Sequence, residues 1–132
     1  TPKPSSAASD VYKRQVWDLG SADHLLREYL SGGPPREVYF NSGFILQCYI
    51  YGDGSYNLFR FCVDDHVPDA AAAYHEVSEW FLIDWIGWKL IEWDLGTDPV
   101  GTWIGNGLLE GTLRIDSFQM TLGESGASEG AI

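Results

Sequence analysis

Aromatic side chains are the chemistry this sequence holds in excess. Its 132 residues include six Trp, seven Tyr and six Phe. Sugar rings present flat apolar CH faces on which Trp and Tyr stack, while polar neighbours bond the hydroxyls. In the strand register argued below, Tyr49, Tyr51, Tyr56, Trp80 and Trp88 share one non-core face. Gln47, Arg60, Asp64 and Arg114 are the polar groups expected beside them. The candidate binding set is therefore Gln47, Tyr49, Tyr51, Arg60, Asp64, Trp80, Trp88 and Arg114. The competing reading is a second buried layer, because burial is the ordinary fate of an aromatic. Arg60 would hold a ligand hydroxyl or carboxylate, or else pair with Asp64 or Asp84.

Other chemistry is weaker. The carboxylates Asp84, Glu92, Asp94 and Asp116 invite a glycosidase reading, since two opposed carboxylates suffice for that reaction. Alternation puts Asp84 and Glu92 on one face, yet a cleft is hard to build in so small a domain. His24, His66 and His75 lack metal spacing along the chain, and no Cys pair is spaced as a zinc site. Gly52-Asp53-Gly54 sits in a hairpin and not before a helix, which argues against a phosphate loop. No Ser/His/Asp grouping stands out. A non-catalytic role is the expectation.

The elements that must position these residues read as all-β. Short apolar runs are broken by Gly, Asp and Pro. Strands are expected at 37–41, 43–51, 56–64, 76–84, 88–95 and 109–122. The last should carry a bulge near Asp116-Ser117. One helix is expected over 21–32, capped by Ser21 and closed by Gly32. Residues 65–75 and 96–108, the latter around Trp103, read as loops. Asp53-Gly54 between alternating runs predicts a two-residue hairpin turn. That register pairs Cys48 with Phe59, Leu46 with Phe61 and Phe44 with Val63 on a core face. It opposes Gln47 to Arg60, Tyr49 to Leu58 and Tyr51 to Tyr56 on the other. Cys48 and Cys62 then point to opposite faces and are expected to be free thiols. In later strands Val77, Phe81, Ile83, Ile91, Trp93 and Leu95 should point inward.

Three segments taken together, YIYGDGSYNLFRFCVDD, WFLIDWIGWKLIEWDL and LEGTLRIDSFQMTL, resemble the jelly-roll accessory domains of the carbohydrate-binding-module, galactose-binding-like type. Such domains are appended to secreted bacterial glycoside hydrolases and phosphodiester glycosidases, and occur in surface proteins of Bacteroidetes. The resemblance covers roughly Val38 to Leu122. It implies a jelly-roll-like antiparallel β-sandwich, secretion or a cell-surface location, a glycan or polysaccharide ligand, and an adjacent domain in a larger parent protein. No cofactor is required on this reading. A structural calcium occurs in some relatives, held by acidic residues that include a strand beyond the end of this chain, so the sequence leaves it open. Two alternatives stand beside the binding module: a purely structural spacer or docking domain, and a small glycosidase.

Length suits one domain. Residues 1–15 are polar and aperiodic and are expected to be a non-native or disordered leader, 16–122 the domain, and 123–132 a disordered tail. The formal net charge of −11 disfavours nucleic acid and anionic membrane surfaces. No run is long and apolar enough to span a bilayer.

Overall fold

The computed structural model describes residues 16–18, 25–29, 38–67, 75–123 and 129–131. They form antiparallel sheets, and the fold is all-β. In chain order the strands are β1 (Val16–Asp18), β2 (Leu26–Tyr29), β3 (Tyr39–Phe40), β4 (Ile45–Asp53), β5 (Leu58–Asp64), β6 (His75–Val77), β7 (Phe81–Leu82), β8 (Ile86–Asp94), β9 (Leu113–Thr121) and β10 (Glu129–Ala131). The large sheet runs β2-β9-β5-β6, with β3 also on β9 and β7 also on β5. β4 and β8 form a separate two-stranded sheet, and β1 pairs with β10. Among the described residues no helix is long and apolar enough to cross a membrane.

The core lies between β4–β8 and the large sheet. Ile50, Ile91 and Trp93 meet Phe59, Phe61, Val63, Leu113 and Met120 in one buried cluster. Phe61 stacks on Trp93 with ring centroids 6.4 Å apart. Strand parity explains which residues go there. β4 alternates from exposed Ile45 to buried Gly52, with Leu46, Cys48 and Ile50 turned inward. Gly52 is needed because a Cβ there would overlap the Trp85 ring and backbone. β5 is buried on both faces, as befits a central strand. Burying a phenylalanine such as Phe61 contributes about 1.5 to 3 kcal/mol, so this face anchors the fold.

Three expectations are corrected. The first is the hairpin. β4 pairs with β8, so Cys48 opposes Ile91 and Leu46 opposes Trp93. β5 pairs with β9, β6 and β7 instead. Asp53 and Gly54 do turn the chain, but into a corner between sheets. Asp53 Oδ1 accepts from Ser55 N at 3.0 Å, and Ser55 Oγ accepts from Asn57 N at 3.3 Å. These side-chain acceptors satisfy amides that a fold-back ladder would have used. Gly54 N and Tyr56 N then donate to Trp85 and Ile83 carbonyls at 2.9 Å, and Tyr56 takes a left-handed φ of 61°. Parity does not depend on the partner, so the inward and outward sets of β4, β5 and β8 survive this change. Phe44, expected on the core face, is instead 56 % exposed, and Val77, expected to point inward, opposes Cys62 on the other face of the large sheet.

The second concerns residues 21–32. Their described part holds β2, not a helix, with Leu26 opposite Met120 and Tyr29 opposite Ser117. A short segment gains little from helix formation alone, and pairing along β9 supplies ladder bonds that override its local propensity. The rest of that span lies outside the described residues, as does the 1–15 leader. The third is the strand expected over 76–84. It is interrupted at Ser78–Trp80, where Ser78 bridges to Val100. Within the 123–132 tail, Glu129–Ala131 pair with Val16–Asp18. Cys48 and Cys62 are both free and sit on different sheets.

Candidate functional site

The expected single face divides into two, one on each sheet. The outer face of β4–β8 carries Gln47, Tyr49, Tyr51 and Trp88. Cross-strand pairs order it: Gln47 opposite Glu92, Tyr49 opposite Leu90, Tyr51 opposite Trp88 and Asp53 opposite Ile86. Tyr49 is 43 % exposed and Tyr51 45 %. Tyr51 meets the half-buried Trp88 edge to face at 5.5 Å, a geometry that holds both rings in place. Ile45 and Ile86 extend the face at its two ends, with Ile86 81 % exposed. The result is a shallow platform of rings with Gln47, Glu92 and Asp53 around them.

Arg60, Asp64, Trp80 and Arg114 lie elsewhere, on the outer face of the large sheet. β5 parity sends Arg60, Cys62 and Asp64 to that face. β9 reaches it by a bulge. Cys62 opposes Ser117 but Val63 opposes Ile115, leaving Asp116 as the extra residue. The bulge lets Asp116 and Ser117 both face outward beside Arg114 and Gln119. A β-bulge near Asp116-Ser117 is therefore present as expected.

This face is polar but mostly buried. Arg60 is only 4 % exposed. Its Nε donates to Gln119 Oε1 at 2.8 Å and its Nη1 to the Thr102 carbonyl at 3.3 Å. The guanidinium lies 4.0 Å from the Trp80 ring centroid, a cation–π contact strengthened by burial. The expected ion pair with Asp64 or Asp84 is not made; burial pulls the Arg60 pKa down. Asp64 instead accepts from His75 Nδ1 at 2.6 Å and from Arg114 Nε at 2.9 Å. Asp116 Oδ2 accepts from Arg27 Nη2 at 2.6 Å and from Ser117 Oγ at 2.7 Å. Burial works to raise the Asp116 pKa. The bonds from Ser117 and Arg27, with the His75 and Arg27 charges, outweigh it and leave the pKa below the ordinary aspartate value. Burial pushes the Cys62 thiol up to about 12. Gln119 is fully buried, and its Nε2 has no hydrogen-bond partner among the described residues.

The cover over this face is the irregular segment between β8 and β9. Trp103 stacks on His75 at 5.8 Å and lies 4.7 Å from the Arg27 guanidinium. Glu76 pins the segment: its carboxylate accepts from Asn106 N at 2.6 Å and Gly107 N at 3.0 Å. The carboxylates weighed for catalysis are otherwise employed or isolated. Asp94 closes a turn by accepting from Gly96 N at 2.9 Å, Asp116 holds Arg27, and Asp84 and Glu92 are exposed.

Sequence reasoning missed Arg27, His75, Trp103 and Gln119 as members of this second layer. Parity, with the bulge counted in, would have found Gln119 beside Arg60. Arg27 was assigned to a helix, and His75 and Trp103 to loops with no fixed direction. Set against known proteins, the chain matches no family model, no curated protein and no solved structure.

Proposed function

We propose that the chain is a jelly-roll-like β-sandwich that binds carbohydrate without catalysis, as an accessory module of a secreted or surface protein. The observation that carries this reading is the outer face of β4–β8. Tyr49 and Tyr51 stand exposed on one strand, next to Trp88 on the other. Rings fixed on paired strands lose little entropy on stacking against a sugar, and Gln47, Glu92 and Asp53 offer acceptors and a donor at the rim. The chain's acidity suits a neutral glycan better than an anionic one.

Affinity electrophoresis against a panel of soluble polysaccharides tests this. Retardation is expected on at least one neutral glycan, and Tyr49→Ala/Tyr51→Ala should abolish it while leaving the circular dichroism spectrum intact. Migration unaffected by every polysaccharide, or retardation that survives the double substitution, would sink the proposal. A second reading is favoured by the apolar ends of the same face. Ile86 and Ile45 are both exposed, and exposed apolar patches mark docking surfaces. On that reading the platform packs on a neighbouring domain, and polysaccharide has no effect.

A further inference from the structure

The outer face of the large sheet brings together side chains that no chain-spacing motif would reveal. Cys62 on β5, His75 on β6 and Asp116 on β9 each offer a ligand atom, and all three atoms lie within 4.8 Å of one another. We propose that Cys62, His75 and Asp116 form a binding site for a transition-metal dication of the zinc type.

Each residue is held there for a structural reason. β5 parity turns Cys62 to this face, in the middle of a central strand. The bulge adds Asp116 to the outward set and places it next to Ser117, which opposes Cys62. His75 is oriented by Asp64, which accepts from its Nδ1 and is itself fixed by Arg114. A carboxylate on one imidazole nitrogen is the usual outer support of a metal-binding histidine. It leaves the lone pair of the neutral ring on Nε2.

The donor set selects the metal. Sulfur, nitrogen and one carboxylate oxygen suit zinc or cobalt, whereas calcium and magnesium take oxygen ligands. One thiolate and one carboxylate would offset the charge of the dication, with Arg27, which shares the Asp116 carboxylate, adjoining the site. Coordination forms an S–metal bond and breaks the Sγ–H bond, and the proton leaves to water. A tetrahedral zinc with bonds of about 2.0 to 2.3 Å holds its ligand atoms about 3.5 Å apart. Closure therefore needs the triad to contract by about an ångström, and His75, 34 % exposed at the edge of the layer, would shift together with its Asp64 and Trp103 contacts. Three protein ligands leave a fourth position for water.

Titration of the full chain with Co²⁺ under reducing conditions tests the site. One equivalent should produce a thiolate-to-cobalt charge-transfer band, and Zn²⁺ should displace it. Cys62→Ser should remove the band, and His75→Gln should weaken binding at least about tenfold. Cys48→Ser should leave it unchanged. So should His66→Gln, which alters a separate cluster of Asp65, His66 and Glu110. Absence of a band in the unsubstituted chain, or a band that survives Cys62→Ser, overturns the proposal. If Cys62→Ser fails to fold, His75→Gln decides, and unchanged cobalt affinity in that variant overturns it.

Discussion

Glu76 shows how one residue organises a loop. It is 1 % exposed, and its carboxylate receives two backbone amides of the segment that covers the large sheet. Gly105 sits against it so closely that a Cβ would overlap the carboxylate. Gly105→Ala must therefore break one of those bonds, and a loss of about 1 to 3 kcal/mol is expected in urea unfolding. The pH dependence has a definite sign. Burial, reinforced by the Asp65 and Glu110 charges, raises the Glu76 pKa above 4.5 against the pull of the two amides. A carboxyl that is harder to ionise when folded contributes its full stability below the unfolded pKa. It loses that contribution as pH rises through the folded value. Relative to Glu76→Gln, the unsubstituted chain should thus lose stability between about pH 4 and about pH 7. Parallel urea titrations at the two pH values measure this, and a difference that grows with pH would contradict the assignment.

At the scale of elements, the bulge in β9 does the most with the least. Before it, Leu113 faces the core and Arg114 faces Asp64. After it, Met120 faces the core and Gln119 faces Arg60. Deleting Asp116 would let Ile115 and Ser117 follow one another opposite Val63 and Cys62, so alternation runs unbroken and both halves of the strand keep their faces. The deletion and Asp116→Asn alike remove the carboxylate charge that pairs with Arg27. Both are expected to unfold cooperatively at a lowered Tm; a non-cooperative calorimetric transition for the deletion would contradict this. The bulge was legible in the sequence as an overlong last strand. The inward sets of β4, β5 and β8 were legible for a local reason, alternation. Pairing was not. Which strand lies beside β4 depends on a choice between β5 and β8, and the Asp53-Gly54 signal is common to a hairpin turn and a corner. Over Leu26–Tyr29 the expected helix gives way to a strand for a similar reason. Apolar spacing over so short a stretch fits either period, and the partner that decided it, β9, lies some ninety residues away in sequence.

Over the whole molecule, the two outer faces are built to opposite rules. The large sheet hides its polar side chains beneath Trp80 and Trp103 and binds them to one another. The small sheet leaves Tyr49 and Tyr51 in water with only Trp88 and Leu90 across the strand pair. The candidate site was half legible for this reason. Alternation correctly grouped Tyr49, Tyr51 and Trp88, while joining them to Arg60 required the hairpin that does not form. The asymmetry makes a stability prediction independent of any ligand. Truncating a ring that contributes little burial should cost little, and truncating one shared between the sheets should cost a great deal. Tyr49→Ala and Tyr51→Ala are each expected to change unfolding free energy by no more than about 1 kcal/mol. Phe61→Ala, which removes a ring that packs on Phe59, Phe81, Trp93 and Phe118, should cost about 3 to 5 kcal/mol. Chemical denaturation of the three variants supplies the comparison. If the tyrosine variants cost as much as Phe61→Ala, the β4–β8 platform is part of a packed interior and not a surface.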